Sequence, residues 1–211
     1  MKMRDNYFAK LMKYIKNVYH IERGLSKLTD ERVNATYKTG QVIMIVLLGF
    51  LLRIKSLNQL NCILKENEFN KLFPRKTKLP QIDTIRDTLK MINKNGLKQM
   101  NQPIVKKAIK NKVFDNGMID GHTVVAIDGT KFFGSNKKSC PECLRNNNHN
   151  FHSGVVMSTI GAGPKLVIDF EMYKLGQDVV SKDEGEQSAA KRLISSVFDR
   201  NKSFIDVVVY D

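Results

Sequence analysis

The apolar positions of the first 120 residues repeat with a helical period. Phe8, Leu11, Met12, Ile15, Val18 and Tyr19 fall on one stripe of a helix whose other face carries Lys10, Lys13, Lys16 and Asn17. Residues 39–53 predict a second helix, apolar all round its middle and therefore the centre of a subdomain. Leu57, Leu60, Ile63 and Leu64 predict a short third, and Ile82, Ile85, Leu89 and Ile92 a fourth that stops near Gly96. Pro103 suits the first turn of a fifth helix running to Lys112, and the stretch from Phe73-Pro74 to Leu79-Pro80 reads as a basic loop.

Near Asp120-Gly121 the pattern changes to a period of two or to short continuous apolar runs. Residues 123–128 (TVVAID) predict a strand, and 151–160 and 165–173 predict two more around Gly161-Ala162-Gly163-Pro164, a hairpin. A helix follows over 183–200, with Ala189, Ala190, Leu193, Ile194, Val197 and Phe198 on one face, and a last strand covers 204–210. The chain thus divides into a helical domain, 1–120, and a β, β-hairpin, α, β domain, 121–211.

If the late helix is the crossover of a βαβ unit, the final strand runs parallel to an earlier one. Pairing with the first strand brings Asp128 and Asp211 to the same sheet edge across 83 residues of sequence. Two neighbouring carboxylates are hard oxygen ligands that repel each other unless a divalent cation lies between them, so the pair is a candidate Mg²⁺ site for phosphodiester chemistry. Asp after an apolar strand also occurs in α/β folds that do no such chemistry.

Charge sharpens the division. The chain carries 35 Lys+Arg against 21 Asp+Glu, a formal +14, while 42% hydrophobic content excludes a disordered basic tail. Residues 1–120 hold 24 Lys+Arg and 10 Asp+Glu, and the rest of the chain 11 of each, so the excess belongs to the helical part. Either that part meets phosphates, or its Lys-rich helices are solvated faces. Three cysteines exclude a disulfide framework, and the opening residues hold no apolar signal segment, so a reducing cytoplasm, at the nucleoid, is the expected location. The longest apolar run, Val42–Leu52, is well short of the ~20 residues a bilayer span needs.

Cys140, Cys143, His149 and His152 form C-x2-C-x5-H-x2-H, four ligand types that suit a tetrahedral Zn²⁺ stapling a long connection. The alternative is two free thiols and two histidines sharing a loop, or histidines that touch DNA. The Cys pair does not open a helix after a strand, as a redox motif would. Asp183, Glu184 and Glu186 sit where a helix dipole and capping favour acids and are read as that, not as ligands. Asp169 and Glu171 alternate with Ile168, Phe170 and Met172 and are expected to face solvent, and Lys131 is a candidate phosphate contact. Cys62 and His20 fit packing or surface positions. Arg75, Lys76, Thr77 and Lys78 form the densest basic cluster, either a solvated loop or a DNA-backbone contact.

Several segments in order carry a resemblance: VVAIDGTKFF at 124–133, CPEC at 140–143, HNFHSGVV at 149–156, LVIDFEMY at 166–173, KDEGEQSAAKRLI at 182–194 and DVVVYD at 206–211. With SLNQL at 56–60 and LPQIDTIRDTLKMIN at 79–93 upstream, the chain resembles DDE-type transposases of bacterial insertion sequences, in the group sharing the DDE domain of four-type insertion elements. The resemblance implies an RNase H-like fold in which three acids hold two Mg²⁺ ions for DNA strand cleavage and transfer at element ends. Asp128 matches the first acid and Asp211 the second. The third, a Glu on a later helix, has no counterpart in the sequence.

The expectation is an α+β protein: a helical N-terminal subdomain followed by an incomplete RNase H-like mixed β-sheet with an α crossover. It would be the N-terminal portion of a transposase, acting on double-stranded DNA of transposon ends, open to self-association and unable to complete strand transfer alone. Two other readings stand beside it: a non-catalytic, inhibitory DNA-binding remnant, and a zinc-stapled nucleic-acid-binding module.

Overall fold

A computed structural model of the chain describes residues 5–70, 72–73, 77–175, 185–201 and 204–210. They form two compact units, 1–100 and 101–211. The architecture is α+β, with a mixed sheet in the second unit.

The first unit is helical: α1 (Asp5–Tyr19), α2 (Ile21–Leu25), α3 (Thr39–Leu51), α4 (Leu57–Leu64), α5 (Asn67–Asn70) and α6 (Ile82–Met91). Its core is built round α3, whose Val42, Ile45 and Leu48 are buried with Leu60 and Leu64 of α4, Phe69 of α5 and Ile85 of α6. The apolar run of 42–52 is thus a central helix, and no helix among the described residues is long and apolar enough to cross a membrane. Ser56 caps α4 by accepting from the Gln59 N–H at 3.2 Å, while Gln59 Oε1 accepts from the Lys55 N–H at 3.0 Å. The segment between α2 and α3 is fixed by Asp30, whose two oxygens accept from Arg32 Nε and Nη2, each at 2.8 Å, and from Thr39 Oγ1 at 2.6 Å.

α7 (Lys94–Lys110) crosses into the second unit, where its Val105 joins the core against the sheet. Pro103, expected to open a helix, lies inside this one, at the loss of one helical hydrogen bond because proline has no N–H. After a 3₁₀ turn at Asp115–Gly117, Asp120 and Gly121 both take positive φ, 49° and 78°, and Ile119 and His122 exchange two backbone hydrogen bonds across them. This is the tight reversal that Asp-Gly favours.

The sheet contains β1 (Val124–Ser135), β2 (Leu144–Asn146), β3 (His149–Thr159), β4 (Val167–Met172) and β5 (Val207–Tyr210), with α8 (Glu186–Asn201) between β4 and β5. β3 pairs antiparallel with β1 along one edge and with β2 and then β4 along the other. β5 pairs parallel with β1, from Val124↔Val207 to Ile127↔Tyr210, and α8 is the crossover that a parallel pair requires. Asp206 pins that register, its Oδ2 accepting from the Thr123 N–H at 2.7 Å and its own N–H donating to Thr123 O at 3.0 Å.

One face of the sheet packs on α8: Val125, Ile127, Val155 and Met157 meet Ala189, Leu193 and Val197. Asp169 and Glu171, expected to face solvent, face this helix instead. A bulge between Met157 and Ser158 breaks the alternation, so Ile168 and Asp169 are both buried and Asp169 stands opposite core-facing Met157. Arg200 of α8 pairs with the Asp169 carboxylate, and Arg192 approaches Glu171 at 3.7 Å.

Candidate carboxylate and metal sites

β1 changes character half-way along. Val124, Val125 and Ile127 are buried, whereas Asp128 and most of the residues after it are exposed. The far half of β1, the near half of β3 and β2 therefore form an arm beyond the helix-covered sheet, and Asp128 stands at its root. The neighbouring parallel strand ends level with it, at Tyr210 opposite Ile127. Asp211, next in sequence, lies outside the described residues, as do Asp183, Glu184, Arg75 and Lys76.

Alternation puts Gly129 on the α8 face, where the first turn of α8 delivers the carboxylate of Glu186. A Cβ on Gly129 would stand 2.5 Å from Glu186 Oε2 and 2.8 Å from Oε1, so the bare glycine makes the cradle in which the carboxylate lies. Burial, together with the nearby Glu186 carboxylate, pushes the Tyr210 phenol up. Tyr173, just beyond β4, is pushed up to about 12, first by burial and then by the negative charges of Glu186, Tyr210 and Asp128. Tyr173 thus feels both acids, which the topology has drawn to one end of the sheet from residues 58 apart. Asp128, exposed at the strand end, and Glu186, lying over Gly129, are thus two carboxylates at one end of the sheet, oxygen donors of the kind Mg²⁺ takes. Glu186 stands in the first turn of α8, as its sequence position led one to expect, and the crossover also brings that turn over β1.

The Cys and His residues of the arm divide. Cys140 Sγ and Cys143 Sγ lie 3.4 Å apart, and His152 Nε2 lies 3.1 and 3.4 Å from them. The three ligand atoms face one another within 4.8 Å and could hold a metal ion. Around a tetrahedral zinc such atoms stand about 3.5–3.8 Å apart, so the cluster is only slightly tighter than a loaded site. Cys143 is buried, and its sulfur accepts from the Cys140 N–H at 3.2 Å. Burial and the Cys143 thiol push Cys140 up.

His149 is not in this cluster. It lies on β3 three residues from His152, and residues three apart on a strand point to opposite faces. His152 shares its face with Phe133, their rings 6.1 Å apart, whereas His149 stacks on Phe151 and accepts from Lys131 Nζ at 2.8 Å through Nε2. Its Nδ1 lies 2.6 Å from Asn136 Oδ1. An ammonium only donates, so Nε2 is the acceptor of that pair and Nδ1 is the nitrogen that faces Asn136 Oδ1 as a donor. Of the remaining candidates, Cys62 is exposed and His20 takes a left-handed conformation, φ 50°, ahead of α2. Compared with protein families, curated proteins and solved structures, the chain matches none.

Proposed function

We propose that the chain belongs to a DNA-transposing enzyme of the DDE type, and that its sheet unit is an RNase H-like domain that cleaves and joins phosphodiesters. The observation that carries this reading is the parallel register ending at Ile127↔Tyr210, each followed in sequence by an aspartate. In this reading Asp128 and Asp211 hold Mg²⁺, and Glu186 is a third carboxylate of the same site. When bound, the metal supplies activation of a water or 3′-hydroxyl and stabilises the leaving oxygen. The protein's part is positioning. β1 carries Asp128, β5 ends at Tyr210, the residue before Asp211 in sequence, and Gly129 leaves room for Glu186. The cationic excess of residues 1–120 supports a role in holding double-stranded DNA of the element ends. The three-ligand cluster is read as a zinc site that staples the arm.

Mn²⁺ binding by the full chain, followed by electron paramagnetic resonance, tests this. Asp128→Asn is expected to weaken it about tenfold or more, and Mn²⁺-dependent nicking of supercoiled plasmid, if present, is lost with it. Mn²⁺ binding that ignores Asp128→Asn overturns the reading. The second reading, a zinc-stapled nucleic-acid-binding module, is favoured by the Cys140, Cys143 and His152 geometry. It would show as DNA binding that needs zinc while Asp128→Asn changes nothing.

A further inference from the structure

The face of the arm to which His149 is diverted carries an open cleft of about 440 Å³, lined by Lys131, Asn136, Asn146, Asn147, Asn148, His149, Phe151 and Ser153. Its only charged lining residue is a lysine. Lys131 Nζ donates one proton to His149 and lies 5.2 Å from the centre of the Phe151 ring. No carboxylate among the described residues pairs with it. With one proton donated to a ring nitrogen and an aromatic face as its other neighbour, the amine of Lys131 has two N–H bonds left for an incoming anion.

The rest of the lining argues for more than a bare phosphate. Asn146, Asn147 and Asn148 each offer a donor pair and an acceptor, and Asn136, its oxygen taken by His149, a donor pair; base edges require both kinds, and a phosphate, an acceptor only, does not. The turn that carries three of them is held by Asn147 in the left-handed region, φ 51°, a conformation asparagine tolerates. The volume falls within the ~300–1,000 Å³ of small-ligand sites, room for one nucleotide and far too little for a duplex. Outside the cleft the arm continues in the same chemistry. A bulge between Lys131 and Phe133 re-aims the strand, leaving Phe132 51% and Phe133 37% exposed, and between residues 131 and 153 Lys137, Lys138 and Arg145 join Lys131 against one acid, Glu142. Cations interleaved with exposed aromatics make a platform for unpaired strands.

We propose that this cleft is a subsite for one unpaired nucleotide of a DNA strand, its phosphate on Lys131 and its base among the asparagines beside the His149–Phe151 stack. The proposal rests on reading the chain as a protein that works on DNA, but not on the carboxylate site. It goes beyond that reading in giving the arm a substrate contact of its own and in choosing an unpaired strand over a duplex.

The test is fluorescence anisotropy of a labelled single-stranded oligonucleotide of mixed sequence, and of the same strand annealed as a blunt duplex, without divalent cations. The wild-type chain, Lys131→Gln and the double variant Asn146→Ala/Asn148→Ala are compared. All three substituted positions are exposed, and circular dichroism melts confirm that the variants fold. The expected result is a loss of about tenfold in single-strand affinity for both variants, with duplex affinity changed less than about twofold. For Lys131→Gln the slope of log K against log salt also falls by about 0.7, one phosphate contact on a single strand. Single-strand affinity within about twofold of wild type in both variants, or equal losses on strand and duplex, overturns the proposal. Because no divalent ion is present, that outcome leaves the Mn²⁺ result untouched, and the two readings fail separately.

Discussion

The carboxylate of Glu186 occupies the space that a side chain on Gly129 would fill, at 2.5 Å from the missing Cβ. Gly129 does not take a positive φ, so the glycine is required there by space and not by backbone conformation. The contact joins the first turn of α8 to the strand that carries Asp128, one residue away. It also explains why an acid stands at this helix start when a dipole alone would be satisfied by any neighbouring position.

Gly129→Ala should therefore separate function from stability. The methyl meets the far end of a flexible side chain, which can swing away, so the melting temperature is expected to move by no more than about 4–8 °C, the equivalent of ~1 kcal/mol. Mn²⁺ affinity is expected to fall about tenfold, close to the effect of Glu186→Gln. Unchanged Mn²⁺ affinity in both variants would remove Glu186 from the metal site.

His149 and His152 make the complementary case, in which two histidines of one sequence motif take unequal roles. Purified protein refolded with zinc and then desalted is expected to retain one ion per chain in the wild type and in His149→Ala. His152→Ala should release it, since two thiolates on one turn are all that remain. Zinc content by mass spectrometry decides this. Loss of the ion in His149→Ala would mean that loading turns the ring away from Lys131 and restores the four-ligand site.

The helical period of the first unit was readable because a buried stripe needs no knowledge of its partner. The apolar girth of residues 42–52 and the stripe of 82–89 both became core. That the last strand runs parallel to an earlier one followed from the order of elements; that its partner is the first strand came from the structure. What pattern could not supply were breaks in pattern. The bulge at Ile168 inverted the phase of β4 and turned Asp169 inward to Arg200. Two histidines three apart suit one face of a helix, but β3 splits them. Pro103, a sound first-turn residue, lies inside α7, where the burial of Val105 and Ala108 outweighs one missing bond. The place of Glu186 over Gly129 was invisible for another reason: the glycine lies 57 positions earlier, and nothing local marks that partnership.

The Asp30–Arg32 pair predicts how the helical unit responds to acid. The Asp30 side chain is 3% exposed and that of Arg32 11%, and the carboxylate accepts from the guanidinium, from the Arg32 N–H at 3.0 Å and from the Thr39 hydroxyl. Hydrogen bonds from Arg32 hold its carboxyl well below the usual carboxylate range. A group with a depressed folded-state pKa stabilises the fold fully above its unfolded value, about 3.9, and loses that contribution as pH falls from there toward the folded value. Asp30→Asn is expected to cost about 3 kcal/mol at neutral pH, because it leaves the Arg32 charge buried without its counter-ion. In urea melts at pH 7 and pH 3 the gap between wild type and Asp30→Asn should shrink, since acid removes from the wild type part of what the variant already lacks. A gap that stays the same size at pH 3 would show that the carboxylate charge does not hold this segment.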